Sequence, residues 1–475
     1  MKYQSSSVKL ALPKGRLLSS IAKLLDETSL GFERYDGRTR QYRLSSGSFP
    51  YLSAKIFQEK DIPIQVAIGN YDLGICGLDW IQELVTRYPA STLVKVSGLD
   101  CGEGSVYLAA DYQAGISNLN ELAMKQNNWR IVSEYPNLSE DFALSLRLKA
   151  FKVFPVWGAA EVYPPEDADL AVLWARNENG VEGMGLVPLR ELLPANAFLI
   201  ANRESLKDKN LSQILNCLSP RFAPGRQASM YSEPTGRKDN PVVHRPLRKE
   251  AVKLALPDGH QQLPTSQFLK QVGLDFQGYS GEKINRRPVV DLDWLDIKVI
   301  RPQDMPIQVA NGNFDLAITG NDWLFDHLYR FPSSPVTNLL DLGFGMVRII
   351  AAMSRDMPVA DINELRLLVQ SGKLIPLRVA SEYVNIADKY LRDNHISFYK
   401  LIPTWGASEA FLPEDADLLI DNVQTGRTLA QHNLKIIDTL CESVACLIGN
   451  KESLSSRNKR GKIDFLTGVL RGALS

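Results

Sequence analysis

The stretch DIPIQVAIGNYDLGICGLDW at residues 61–80 returns as DMPIQVANGNFDLAITGNDW at residues 304–323, with fourteen of twenty positions identical. The likeness extends outward in both directions. VKLALP at 8–13 returns at 252–257, SEYPN at 133–137 as SEYVN at 381–385, and WGAAE at 157–161 as WGASE at 405–409. PEDADL at 165–170 recurs letter for letter at 413–418, and IANRESL at 200–206 returns as IGNKESL at 448–454. Offsets of 243 to 248 residues far exceed any solenoid period, so a whole structural unit is duplicated. Each copy then serves as the reference for the other, and chemistry lost from one becomes visible.

Within a copy, strand-like and helix-like stretches alternate. VKLALP is a short apolar strand, and LLSSIAKLLDET has the Leu and Ile spacing of a helix. IPIQVAIGN is helix-like, YDLGICG is a buried strand ending in Gly, and DWIQELVTRY is a helix with Asp79 as a candidate cap. WRIVSEYPN runs from strand into turn, and DADLAVLW and DADLLIDNV are strands. This alternation predicts an α/β fold with mostly parallel sheets, whose ligands sit beyond the carboxyl ends of the strands. The boundaries expected are a first copy at 1–218, a Pro-, Ser-, Gly- and Arg-rich linker at 219–250, and a second copy at 251–475.

Composition narrows the function. Lys+Arg and Asp+Glu balance at 54 each and no basic face stands out, which argues against a nucleic-acid partner. No apolar run approaches the length of a membrane span, and MKYQSSSVKLALPKGR lacks a signal-peptide core, so a cytoplasmic location is expected. Five cysteines form no CxxC pair and five histidines form no ligand cluster, so no metal site built from protein side chains is assigned.

Two turns carry candidate chemistry. In the second copy, DADLLIDNV leads to Asp421, then Thr425, Gly426, Arg427, Thr428 and Leu429 at a helix start. Outward N–H groups, two hydroxyls and a close-approach glycine suit a phosphate, and Asp421 suits sugar hydroxyls. A Thr-capped helix without a ligand remains the alternative reading. The first copy has Leu173, Asn177, Glu178 and Gly180 at the positions of Asp421, Thr425, Gly426 and Thr428, so its anion turn is expected to be lost. The first strand behaves in the opposite way. LALPKGRLL places Lys14 and Arg16 at a strand-to-helix turn suited to a polyphosphate, whereas LALPDGHQQ puts Asp258 and His260 there. A solvated basic turn is the alternative for Lys14 and Arg16.

LALPKGRL, the D-[IM]-P segment before DLGICG or DLAITG, SEYPN, and D-x-x-x-T-G-x-T-L together resemble the short form of ATP phosphoribosyltransferase, with each copy similar to one catalytic subunit. The resemblance implies two tandem bilobed units like the periplasmic-binding-protein fold, forming an internal pseudo-dimer, with active sites in the clefts between lobes. It also implies Mg²⁺ as cofactor and ATP and PRPP as ligands. In that family the T-G-x-T-L turn holds the 5-phosphate of PRPP and the acidic residue before it meets the ribose. Those roles pass to Asp421 and to Thr425, Gly426, Arg427, Thr428 and Leu429, and Glu409 matches an acidic position expected to face the ribose. RPQDMP keeps the family's arginine as Arg301, expected to be catalytic, while the first copy has Gln58 there.

The resulting expectation is a composite site: the PRPP turn from the second copy, with Lys14, Arg16 and one or more of Arg34, Arg38, Arg40 and Arg43 from the first. N1 of ATP attacks C1 of PRPP and pyrophosphate departs, the first step of histidine biosynthesis. A non-catalytic or regulatory paralogue that binds PRPP or a nucleotide is the second reading, and a solute-binding protein for another small anion the third. Further homo-oligomerisation and a regulatory subunit stay open.

Overall fold

The computed structural model describes residues 7–474 apart from 29, 33–34, 36–41, 117–118, 125–127, 224–249, 281–284 and 425. Thr425, Arg34, Arg38, Arg40 and most of the expected linker therefore lie outside the described residues.

The apolar runs become strands. VKLALP lies in the strand Val8–Lys14, and all five residues of Leu73–Gly77 and of its copy Leu316–Gly320 are buried, as expected of sheet centres covered on both faces. Two sheets form in each copy, with matching strand order. In the second copy the first sheet runs Leu295–Ile300, Val252–Pro257, Leu316–Gly320, Ala445–Asn450, Val336–Asp341. The first copy has the same five positions and adds short strands at both edges, Arg43–Ser45 and Phe222–Ala223. The second sheets also correspond, with Leu170–Ala175 and Leu418–Val423 at their centres.

The sheets are mixed rather than mostly parallel. Val8–Lys14 pairs in parallel with Leu52–Gln58 and Leu73–Gly77, but Ala197–Asn202 joins Leu73–Gly77 antiparallel. The cause is the two-lobed path. The chain leaves the first sheet, builds the second, and re-enters the first running the other way. Each sheet has its own apolar core, seen in Leu10, Leu12 and Ile21 for the first sheet and Leu108, Ile131 and Leu170 for the second. Leu254, Leu256 and Leu447, then Ile349, Val379 and Leu418, repeat this in the second copy. Each such side chain contributes about 1.5–3 kcal/mol by burial.

Repeated motifs hold the lobes in both copies alike. Ser133 Oγ accepts the Tyr135 N–H, Tyr135 Oη donates to Asp79, and Glu83 accepts N–H groups from Asn137 and Leu138 at a helix start. Ser381, Tyr383, Asp322 and Asp326 repeat the arrangement. The Ser, Tyr and Asn kept in SEYPN and SEYVN thus hold the same structural contacts in both copies.

Two compact units result, and their membership does not follow the duplication throughout. The unit built on the first copy includes Trp405–Ala410, and that built on the second includes Val156–Val162. No helix among the described residues is long and apolar enough to cross a membrane.

Candidate active site

The first strand of the first copy ends at Lys14, and Gly15 follows with φ of 97°, a conformation that turns the chain into its helix without a Cβ clash. Lys14 Nζ donates to Tyr42 Oη at 3.4 Å and lies 5.3 Å from that ring's centroid. Arg16 points elsewhere. Its Nη2 reaches both oxygens of Asp79 at 2.6 Å, its Nε reaches Glu59 at 3.0 Å, and Trp174 covers its guanidinium at 5.1 Å. Asp79 is fully buried and is not the helix cap expected of it; the helix Leu78–Arg87 starts at Gly77 without a side-chain cap. Its carboxylate is held by Arg16 and Tyr135 instead. Two acids share one guanidinium, and burial lifts Glu59 to about 7 although Arg16 pulls it back. These partners stand 43 and 63 residues from Arg16, so no local pattern announced them. The loss of both Arg16 (to His260) and Glu59 (to Pro302) in the second copy was the available signal.

The second copy's first turn carries a different network. Asp258 is 3 % exposed and accepts Arg286 Nη1 at 2.7 Å and Arg301 Nη1 at 3.3 Å. Arg286 also reaches Glu161, within the segment Val156–Val162, at 3.4 Å. Arg286 occupies the place of Tyr42, since its carbonyl accepts the Val299 N–H as Tyr42 accepts Ile56. The reversal from Lys14 to Asp258 is therefore matched by two arginines where the first copy has Tyr42 and Gln58. Arg301, the expected catalytic arginine, stands in this network with Asp258, in the unit that contains Glu161.

Glu409 belongs to the unit of the first copy, and so does Lys14. Burial raises the Glu409 carboxyl and the nearby Lys14 charge opposes that rise. The structure thus brings together Lys14 and Glu409, residues from different copies.

The strand Leu418–Val423 carries Asp421 half-buried in its second half, with one carboxylate oxygen accepting the Asn422 N–H at 2.7 Å. The helix that follows, Arg427–Gln431, starts from Gly426 at φ 72°. Arg427 and Thr428 are exposed, and Leu429 is 7 % exposed and anchors the turn. The matching helix Glu178–Gly183 is built on the same anchor, Val181, but Asn177 caps it: the Asn177 side-chain oxygen accepts the Gly180 N–H at 3.0 Å. Glu178 stands in its first turn and adds negative charge where a phosphate would lie. Leu173 and Trp174 replace Asp421 and Asn422, and Trp174 stacks on Arg16 beside a cavity of about 700 Å³ lined also by Ser19, Ser20, Lys23 and Arg176. Among the described residues no group of three or more His, Cys, Asp or Glu side chains is placed to hold a metal ion.

A profile of the family described as ATP phosphoribosyltransferase matches residues 58–220 and again 301–472. The ATP phosphoribosyltransferase of Chlorobaculum parvum is 32% identical over 229 residues, covering 47% of this chain and 72% of the relative. That of Saccharolobus solfataricus is also 32% identical over 229 residues, with the same coverage of 47% and 72%. Among solved structures, an ATP phosphoribosyl transferase complex from Thermotoga maritima is 21% identical with a TM-score of 0.38, covering 47% of this chain and 98% of that one. An alkanesulfonate-binding protein from Xanthomonas axonopodis is 13% identical with a TM-score of 0.31, covering 46% of this chain and 74% of that one.

Proposed function

The chain belongs to the ATP phosphoribosyltransferase family, which performs the first step of histidine biosynthesis, and from that premise we propose how its two unequal copies divide the work. The turn at 425–429 holds the 5-phosphate of PRPP and Asp421 meets the ribose hydroxyls; Glu409 takes the ribose-facing role that the family's acidic position implies. One observation carries this reading: the first copy's matching helix start is closed by Asn177 and made acidic by Glu178, whereas the second copy has Gly426 in place of Glu178 and Thr428 in place of Gly180. A helix start whose N–H is taken by its own side chain and whose first turn carries a carboxylate disfavours an anion, and the second copy lacks that carboxylate.

N1 of ATP attacks C1 of the ribose as the C1–O bond to pyrophosphate breaks, with inversion. Positive charge gathers on the ribose and negative charge on the leaving group. A carboxylate at the ribose favours the former and a cation at pyrophosphate the latter; Lys14 is the cation that stands near Glu409. Arg16 and Arg301 are engaged by buried carboxylates, so in this reading they fix the two first turns rather than act on substrate. No residue of the chain needs to become covalently attached to the sugar. Mg²⁺ belongs with the substrate phosphates, the usual place for an ion that keeps most of its water, and when bound it offsets charge on pyrophosphate.

Titration of the full chain with PRPP and Mg²⁺, alongside phosphoribosyl-ATP formation followed by absorbance, tests the reading. One strong PRPP site per chain is expected. Two equal sites would show that the turn at 177–181 still binds.

A further inference from the structure

The turn at 58–61 and its copy at 301–304 place their positive charge differently. The first reads Gln58, Glu59, Lys60, Asp61 and the second Arg301, Pro302, Gln303, Asp304. Each shares a compact unit with one of the two Trp-Gly segments, Trp405–Ala410 for the first turn and Val156–Val162 for the second. In the second unit, the Trp157 indole meets Trp323 edge to face with centroids 5.9 Å apart. Its backbone N–H is shared by both Asp304 oxygens at 3.1 and 3.0 Å. Arg301 Nε completes the contact, 3.0 Å from where a Cβ on Gly158 would stand.

In the first unit the corresponding indoles are Trp405 and Trp80. The Lys60 ammonium lies 5.3 Å from the centroid of Trp405 and 5.9 Å from that of Trp80. A cation bridges two rings whose counterparts touch directly. Asp61, 1 % exposed, has no hydrogen bond to either carboxylate oxygen, whereas its counterpart Asp304 holds the Trp157 N–H. The segment that carries Glu409 is thus engaged through the Lys60 ammonium where the other is engaged through a carboxylate and an arginine.

We propose that Lys60 is a positioning residue for phosphoribosyl transfer. Its ammonium, resting on Trp80 and Trp405, sets the position of Trp405–Ala410 and with it the Glu409 carboxylate. It also supplies at this turn the positive charge that the second copy has at Arg301. The inference rests on the reading that Glu409 meets the ribose of PRPP. A cation on an indole face is worth about a two- to thirtyfold change in an equilibrium, enough to govern the population of one segment position.

The test uses the full chain, with phosphoribosyl-ATP formation measured while PRPP and ATP are varied separately. Lys60→Gln, the residue type of the other copy, is expected to lower kcat/KM for PRPP by about tenfold, chiefly through KM, with KM for ATP within about twofold. Lys60→Arg should restore PRPP use to within about threefold of the parent, because a guanidinium also rests on indole faces. A purely structural part for Lys60 would instead lower the thermal midpoint and the active fraction, leaving both KM values alone. Glu409→Gln is measured in parallel. If it is impaired while Lys60→Gln stays within about twofold of the parent, or while Lys60→Arg is no better than Lys60→Gln, the Lys60 role is overturned alone. If Glu409→Gln uses PRPP normally, the reading of Glu409 fails and the Lys60 role falls with it.

Discussion

The two first turns occupy the same place in corresponding sheets, yet one is built around a half-buried arginine and the other around a buried aspartate. In the first copy Arg16 sits between Glu59 and Asp79; in the second Asp258 sits between Arg286 and Arg301. Each network is balanced by partners on neighbouring elements, so the change from Lys14-Gly-Arg16 to Asp258-Gly-His260 is a coordinated exchange rather than loss of a single residue. Sequence comparison of the turns alone would rank the first as functional and the second as decayed. The contacts show that charge at such a turn is largely engaged by the fold, and Lys14 is the cation whose charge acts on Glu409.

The contrast between the copies can be broken most directly at their helix-start turns. Thr425→Ala with Thr428→Ala is expected to raise the PRPP requirement at least a hundredfold, since each hydroxyl-to-phosphate bond contributes about 1.5–3 kcal/mol. Asn177→Ala in the first copy should leave PRPP kinetics unchanged. Equal responses at the two turns would erase the distinction drawn between them.

Stability separates the two charge networks. Arg16→Met strands two carboxylates with 7% and 0% side-chain exposure and should cost about 3–5 kcal/mol in denaturant unfolding. Arg301→Met should cost less than about 1 kcal/mol, because Arg301 is 42% exposed and Asp258 keeps Arg286 at 2.7 Å. Comparable losses would mean that the first network is no more tightly built than the second.

A pH slope belongs to the Glu59 position of the first copy. Glu59 has a folded-state value raised from 4.5 to about 7, so it favours folding below pH 4.5 and that contribution disappears as pH rises through about 7. Stability of the parent should therefore decline across that window relative to Glu59→Gln, by on the order of 3 kcal/mol. Parallel stability curves for the two proteins would show that Arg16 holds Glu59 ionised throughout.

Much of the fold was legible because strands such as Leu73–Gly77 and Leu170–Ala175 are continuous apolar runs preceded by Asp. The antiparallel return strands were not, since Ala197–Asn202 reads like any apolar strand and its direction depends on the path through the second lobe. At the site, the Asp421-to-Leu429 turn was visible as a local pattern. The fates of Arg16 and Arg301 were not, because the carboxylates that engage them lie 43 or more residues away. Asp79 shows the limit well: at the start of a helix it reads as a cap, and only the arriving guanidinium makes it an ion-pair partner.

The unit of the first copy draws one segment, Trp405–Ala410, from far down the chain. That has a consequence for synthesis on the ribosome. The strand Phe222–Ala223, the last described element of the first copy, emerges about 180 residues before Trp405. At ordinary elongation rates the first unit waits roughly ten to forty seconds for its final piece. During that interval its strands and cores can form while Lys60 and Lys14 lack Trp405 and Glu409. The nascent protein thus acquires its lobes early and the surroundings of Glu409 late, and a chain interrupted in the linker would carry folded sheets without that carboxylate.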